Sequence, residues 1–298
     1  MPSTPSTSPF YEPLIHQLWK LAATGLVPGR WFRAAIPTEA TRKTHTQGIT
    51  LEIVSHCWQY SHFLAYQLSS LALTPPQNHR VIMTVYYAQE DEKTTALLDF
   101  FSQKAINNVT WHWQAMPKEE LFRRGIGRNR SALTSTADWL WFTDCDVIFK
   151  GHCIDTICDA IKGRREALLY PSHENITPML AESDPMVQRG AQPAIIDIEG
   201  DEFTQHTLTR ATGPMQIVHG DVARAMGYCD RLSIYQKPTH RWRKCYEDIL
   251  FRWLVGSEGV RLDVGGTYRI RHIFKGRYKK GSWFSRLRSR IRRAKDQY

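Results

Sequence analysis

Much of what narrows the reading of this 298-residue chain is what it lacks. No apolar run approaches the roughly 18 residues that a membrane-spanning helix requires. The opening MPSTPSTSPF has neither the charged start nor the apolar stretch of a secretory signal, which predicts a cytoplasmic protein. The six cysteines, Cys57, Cys145, Cys153, Cys158, Cys229 and Cys245, include no Cys-x-x-Cys pair. A zinc clasp and a disulfide framework are both poor readings of that spacing, and reduced, mostly buried thiols are the expectation. There is no Ser-His-Asp or Cys-His order to supply a covalent nucleophile.

Acidic residues are nearly missing from the end of the chain. From Lys275 to Tyr298 ten lysines and arginines face one acid, Asp296, whereas the whole chain carries +10. The body is therefore close to neutral, which argues against nucleic acid as a partner of the fold itself and for a separate electrostatic anchor. Within that tail Trp283, Phe284, Leu287 and Ile291 fall on one helical face and arginines fill most of the rest. Such a helix lies in the surface of an anionic membrane, aromatic side down, which would make the protein peripheral on the inner face. An RNA-binding arm and a solvated end are the alternatives.

What is present suffices for a full core, since 42% of the residues are hydrophobic and this length favours one large domain with appendages. Residues 1–48 read as an N-terminal extension. Its first ten residues are rich in Pro, Ser and Thr, a composition that predicts disorder. Leu14, Leu18 and Leu21 then mark a short amphipathic helix, ended by Pro28-Gly29. Trp31, Phe32 and Ile36 are apolar residues that could pack on the main domain.

From Ile49 strands and helices alternate. Leu51–Val54 is a first strand, Tyr60–Leu73 a helix stopped by Pro75-Pro76, Arg80–Tyr86 a second strand and Glu92–Ala105 a second helix. Val109–Trp113 is a third strand, Lys118–Arg124 a helix, and Arg128–Thr136 another helical segment. This alternation predicts an α/β fold with a mixed, mostly parallel central sheet flanked by helices. Ligands of such sheets bind beyond the carboxyl ends of the strands.

The chain is organised around Gly125–Phe149. There the apolar run Trp139-Leu140-Trp141-Phe142 ends directly before Asp144-Cys145-Asp146. Residues i and i+2 of an extended chain point to one face, so both carboxylates can meet one cation. A hard divalent ion takes carboxylate oxygens and keeps places for water and phosphate. Further on, Cys153–Lys162 is helical, Ala167–Tyr170 extended, and 171–212 irregular, long enough to be a functional loop. Gly213–Asp221 returns to a strand and turn, with a helix over Val222–Met226. Glu247-Asp248 opens an apolar helix. An acidic pair at a helix start is ordinarily a dipole-stabilising cap.

Taken together, Arg128-Asn129, a helix, an apolar strand and Asp-x-Asp resemble the nucleotide-sugar site of GT-A glycosyltransferases of family 2, with Gly127 in place of the family's alanine. The resemblance covers about residues 49–275, and 276–298 remain as the basic tail. It implies a GT-A fold and an inverting transfer of a sugar from a nucleotide-diphosphate sugar, UDP-linked by preference, to a hydroxyl of a glycan or lipid-linked acceptor. Arg128, Asn129 and Asp144 would bind the nucleotide, and Asp144 and Asp146 the metal. Asp248 would be the general base, with Glu247 and Gly220 at the substrate.

Ser55-His56-Cys57-Trp58 replaces the family's proline-led turn, where Trp58 or Tyr60, at the substrate, either stacks on a nucleobase or packs under the loop. The paired aspartates expected after the second strand are missing, leaving Glu90 or Asp91 as substitutes. Ile270-Arg271-His272 is similar to the metal-binding histidine segment of the β-1,4-galactosyltransferases, which implies His272 as a third ligand. Mixed carboxylate and imidazole ligation favours Mn(II) over Mg(II).

Overall fold

The computed structural model describes residues 12–198, 203–240 and 246–273. The disorder expected over 1–10 and the amphipathic helix expected over 283–293 lie outside them.

The chain begins with α1 (Glu12–Leu21), a π-helical turn over Ala22–Leu26 and a short 3-10 turn over Gly29–Phe32. The regular alternation follows as β1 (Thr50–Cys57), α2 (Ser61–Leu73), β2 (Arg80–Tyr87), α3 (Glu92–Ser102) and β3 (Val109–Ala115). Two helices, α4 (Lys118–Leu121) and α5 (Arg124–Thr134), lead to β4 (Trp139–Phe142) and β5 (Val147–Phe149). Then come α6 (Cys153–Ile161), β6 (Leu168–Pro171), β7 (His173–Ile176), α7 (Pro185–Arg189) and β8 (Thr204–Thr207). The described chain closes with β9 (Gln216–His219), α8 (Gly220–Met226), α9 (Glu247–Val255), β10 (Val260–Leu262) and β11 (Thr267–Arg269).

Seven of these strands form one sheet in the order β10-β6-β9-β4-β1-β2-β3. All neighbours are parallel except β9, which runs antiparallel to β4 and β6. The fold is therefore α/β, with a mixed, mostly parallel sheet flanked by helices. The central strands are mostly apolar because both faces are covered: Leu51, Ile53, Val54, Leu140, Trp141 and Phe142 are all fully buried. The five cysteines in the described residues are buried free thiols. Burial pushes the Cys153 thiol up to about 12, against a hydrogen bond with Thr267.

Register fixes which loops meet. Leu51–Val54 pair with Trp139–Phe142 and, on the other side, Thr50–Cys57 pair with Arg80–Tyr87. The carboxyl ends of β1, β2 and β4 thus lie on one edge. Gln216, at the start of the reversed strand β9, is opposite Phe142 and joins that edge. His219 is opposite Trp139, so Gly220 falls on the other edge.

The stretch 171–212 differs from the irregular loop expected there. It forms β7, α7 and β8, and the two strands join a second sheet of order β5-β11-β7-β8. The strand β5 directly follows Asp146. Antiparallel pairing of Val147–Phe149 with Thr267–Arg269 brings the end of the described chain back across the triplet. Arg269 donates from Nε and Nη2 to Glu174 at 2.8 and 2.6 Å and so ties β11 to β7.

The N-terminal segment is seated on α9. Trp19, Phe32 and Trp253 cluster with ring centroids 5.1 to 6.1 Å apart. The Trp253 indole donates to Val27 O at 2.8 Å, and Arg33 Nε donates to Leu254 O at 2.6 Å. Gly29 is required at its position: a Cβ there would stand 2.1 Å from Trp253 O.

Candidate active site

Asp146 is tied to β11 through its backbone. Its carbonyl accepts from Ile270 N at 3.0 Å as the chain leaves β11. Leu180 N donates to Arg271 O at 2.8 Å, and Ile273 N to Leu180 O at 3.0 Å. These bonds fix the backbone on both sides of His272, whose Nε2 lies 3.8 Å from Asp146 Oδ2. Phe63 and Tyr60 wall the imidazole, with ring centroids at 4.2 and 5.0 Å. Two of the three expected metal ligands are therefore neighbours.

Asp144 turns elsewhere. Its Oδ1 accepts from Arg124 Nη1 and, at 3.3 Å, from Arg128 Nη2. Among the described residues no group of three His, Cys, Asp or Glu side chains could hold a metal ion. The donor pair Asp146 and His272 fits a divalent cation that completes its shell with water and phosphate oxygens, as such ions do. Asp144 in this arrangement is an arginine partner.

Arg128 is fully buried. It donates from Nη2 to Thr143 O at 3.1 Å and from Nη1 to the Tyr228 hydroxyl at 2.9 Å. That hydroxyl donates to Gln216 Oε1 at 3.0 Å, and Gln216 Nε2 donates to Asp248 O at 3.2 Å. One buried chain of hydrogen bonds so links Asp144 to the first turn of α9. Asp248 has Arg252 Nη1 3.9 Å away and keeps 35% of its side-chain surface exposed.

Four sequence expectations change. Glu247, expected at the acceptor, is 3% exposed and lies under Gly125, where a Cβ would be 3.1 Å from its Oε1. Burial pushes its carboxyl up, against the pull of Arg124, Arg123 and Arg128. Asn129, expected at the nucleotide, instead brackets a turn: it accepts from Tyr228 N at 2.8 Å and donates to Asp230 at 2.9 Å. Gly220, expected at the substrate, opens α8 on the far edge of the sheet, and a Cβ there would meet Ala137 O at 2.4 Å. Trp58 packs edge-on to Phe122 at 5.3 Å, whereas Tyr60 does reach the site through His272.

Asp91, a substitute at the nucleoside end, is the N-cap of α3. It accepts from Thr94 Oγ1 at 2.7 Å and from Gln59 N at 2.5 Å. Beside it opens a cavity of about 510 Å³, lined by residues that include Gln59, His62, Glu90, Lys93, Glu182 and His272. The cavity therefore abuts the Asp146–His272 pair.

Two site residues are absent from the sequence reading. Arg124 reaches Asp144 from one turn before Arg128, an i,i+4 spacing that was visible. His56 ends beneath the same carboxylate: it is buried, stacked on Tyr86 at 5.0 Å, and neither ring nitrogen has a hydrogen-bond partner. Burial, then Arg128 and Arg124, hold its imidazole well below the usual range, against Asp144. Gly127 is explained by this ring, because a Cβ would stand 2.3 Å from His56 Nε2 and 2.9 Å from Tyr86. An alanine does not fit above His56.

Comparison of the chain with protein-family models and with curated proteins returns no match.

Proposed function

We propose that the chain is a GT-A-type, metal-dependent, inverting glycosyltransferase that moves a sugar from a nucleotide-diphosphate sugar, UDP-linked by preference, to a hydroxyl of a glycan or lipid-linked acceptor. The observation that carries this reading is the approach of His272 to Asp146 at the carboxyl edge of the sheet, beside a cavity large enough for a nucleoside. The sheet, with one reversed strand among parallel ones, accords with it.

The chemistry asks for few groups. In a single displacement at the anomeric carbon a base must take the acceptor proton as the bond forms. Asp248 is the residue for this, since its carboxylate is reachable and its helix is tied to the Asp144 edge through Gln216, Tyr228 and Arg128. Asp146 and His272 would hold the cation, with Mn(II) favoured over Mg(II) by the mixed ligation. Such a cation neutralises a leaving diphosphate as Lewis acid and template. Arg124, partly exposed beside Asp144, supplies a guanidinium at the same edge, a group suited to phosphate. Glu247 and His56 lie behind these residues and position them.

The test is binding and slow hydrolysis of UDP-sugars with Mn(II), read first as a rise in unfolding temperature because a ligand of the folded state stabilises it. Asp146→Ala should abolish the metal-dependent shift, and Asp248→Asn should abolish hydrolysis while leaving binding. Salt-sensitive RNA binding that neither substitution touches, with no response to any nucleotide sugar, would instead make the chain a basic interaction protein on an inactive scaffold.

A further inference from the structure

Helix α1 turns its leucines outward. Leu14, Leu18 and Leu21 recur at i, i+4 and i+7, which is one stripe of a helix, and they are 62%, 56% and 55% exposed. Leu26 and Trp31, just beyond it, are 70% and 66% exposed. Scattered surface leucines need no explanation, but a contiguous apolar patch does.

The opposite side of the same helix is fixed to the body. Glu12 forms a buried ion pair with Arg123, His16 Nδ1 lies 2.8 Å from the Tyr235 hydroxyl, and Trp19 joins the cluster with Phe32 and Trp253. The leucine stripe is thus held rigidly away from the core. A helix whose polar and aromatic side is its anchor and whose leucine side faces water has been folded for a second environment.

The charge around the stripe identifies that environment. From Pro13 to Thr38 there is no acidic residue, whereas Lys20, Arg30 and Arg33 are basic. Lys20 and Arg30 are exposed on the same segment. An apolar face rimmed by cations matches an anionic lipid surface, into which such a face sinks to the depth of the headgroup and acyl boundary. A patch that associates with a second copy would bring these cations against each other.

We infer that α1 and the turn after it, through Leu14, Leu18, Leu21, Leu26 and Trp31, form a docking face for an anionic lipid bilayer. The face is made of residues other than those of the basic tail and does not depend on the enzymatic reading. It also has a geometric consequence. Arg123, which holds Glu12, is next to Arg124, which holds Asp144, so the docked helix and the candidate site share one rigid support.

The test uses the full chain with vesicles of phosphatidylcholine, with and without phosphatidylglycerol, read by flotation at low and high salt. The full chain should float with the anionic vesicles. Leu14→Gln/Leu18→Gln/Leu21→Gln should lower the partition coefficient about tenfold or more, from lost apolar burial, at both salt concentrations. The loss must come without a fall in unfolding temperature, since the three residues are exposed. Leu133→Gln, an exposed leucine of α5, should change nothing. Equal flotation of the triple variant and the unaltered chain would overturn the inference, as would failure of the unaltered chain to float. A dimer in sedimentation velocity that the triple variant converts to monomer, with flotation unaltered, would overturn it in favour of a second copy.

Discussion

Gly127 and His56 are fitted to each other: the space a Cβ would need above the glycine is taken by the imidazole, 2.3 Å away. Gly127→Ala should therefore destabilise the fold by about 1–3 kcal/mol, the usual cost of overpacking. Combining it with His56→Ala should recover part of that loss, because contacting residues do not add. Urea unfolding of the four members of this cycle checks it, and additive costs would show that the contact is not the cause.

The same histidine should give stability a pH dependence. Its folded-state imidazole titrates well below the unfolded value near 6.5, so below that value the unfolded chain binds a proton the folded chain refuses. Stability then falls as pH drops from about 6.5 toward the folded value, by at most about 1.4 kcal/mol per unit. His56→Gln should flatten the slope between pH 7 and 5.5 without erasing it, since burial also lowers His219. Glu247 opposes the trend, because its raised carboxyl loses stability as pH rises above the unfolded carboxylate range. Unfolding midpoints at closely spaced pH values for both proteins check the prediction.

Asn129→Ala removes an acceptor for Tyr228 N and a donor to Asp230. Leaving the buried amide of Tyr228 without its partner should cost about 1–3 kcal/mol. Nucleotide affinity of the folded variant should be unaltered. A drop in affinity at unaltered stability would restore the role the sequence assigned to this residue.

The elements legible in the sequence are those whose environment is uniform. Trp139–Phe142 sits between two covered faces and is apolar without interruption, Leu51–Val54 is apolar but for the buried Glu52, and Pro75-Pro76 marks the end of α2. β7 and β8 carried no such mark. Their residues are polar except Ile176, and Thr204–Thr207 is exposed throughout, so those strands exist through pairing rather than pattern. Site residues divide in the same way. Asp146 and His272 stood out in the sequence as a carboxylate and an imidazole in marked settings, and the structure brings them within 3.8 Å of each other. Asn129 and Glu247 were misplaced because the rotation of α5 and the burial under Gly125 decide where they point, and neither leaves a trace in spacing.

Glu12 and Arg123 form a buried ion pair with side chains 5% and 2% exposed. Truncating one partner should cost about 3–5 kcal/mol, because the other charge is left buried. Glu12→Ala should therefore loosen α1, visible as faster limited proteolysis within residues 12–33 before the body unfolds. Cleavage at the rate of the unaltered protein would mean that the aromatic cluster alone seats the helix.

The cluster of Trp19, Phe32 and Trp253 bears on how the molecule can be cut. The alternating pattern starts at Ile49, which invites trimming everything before it. Such a trimmed chain would expose Trp253, strip Leu254 O of its arginine and leave α9 bare on the side opposite its acidic first turn. Solubility, and the seating of Asp248, would then suffer for a reason unrelated to chemistry, and an inactive trimmed protein would be mistaken for a wrong assignment.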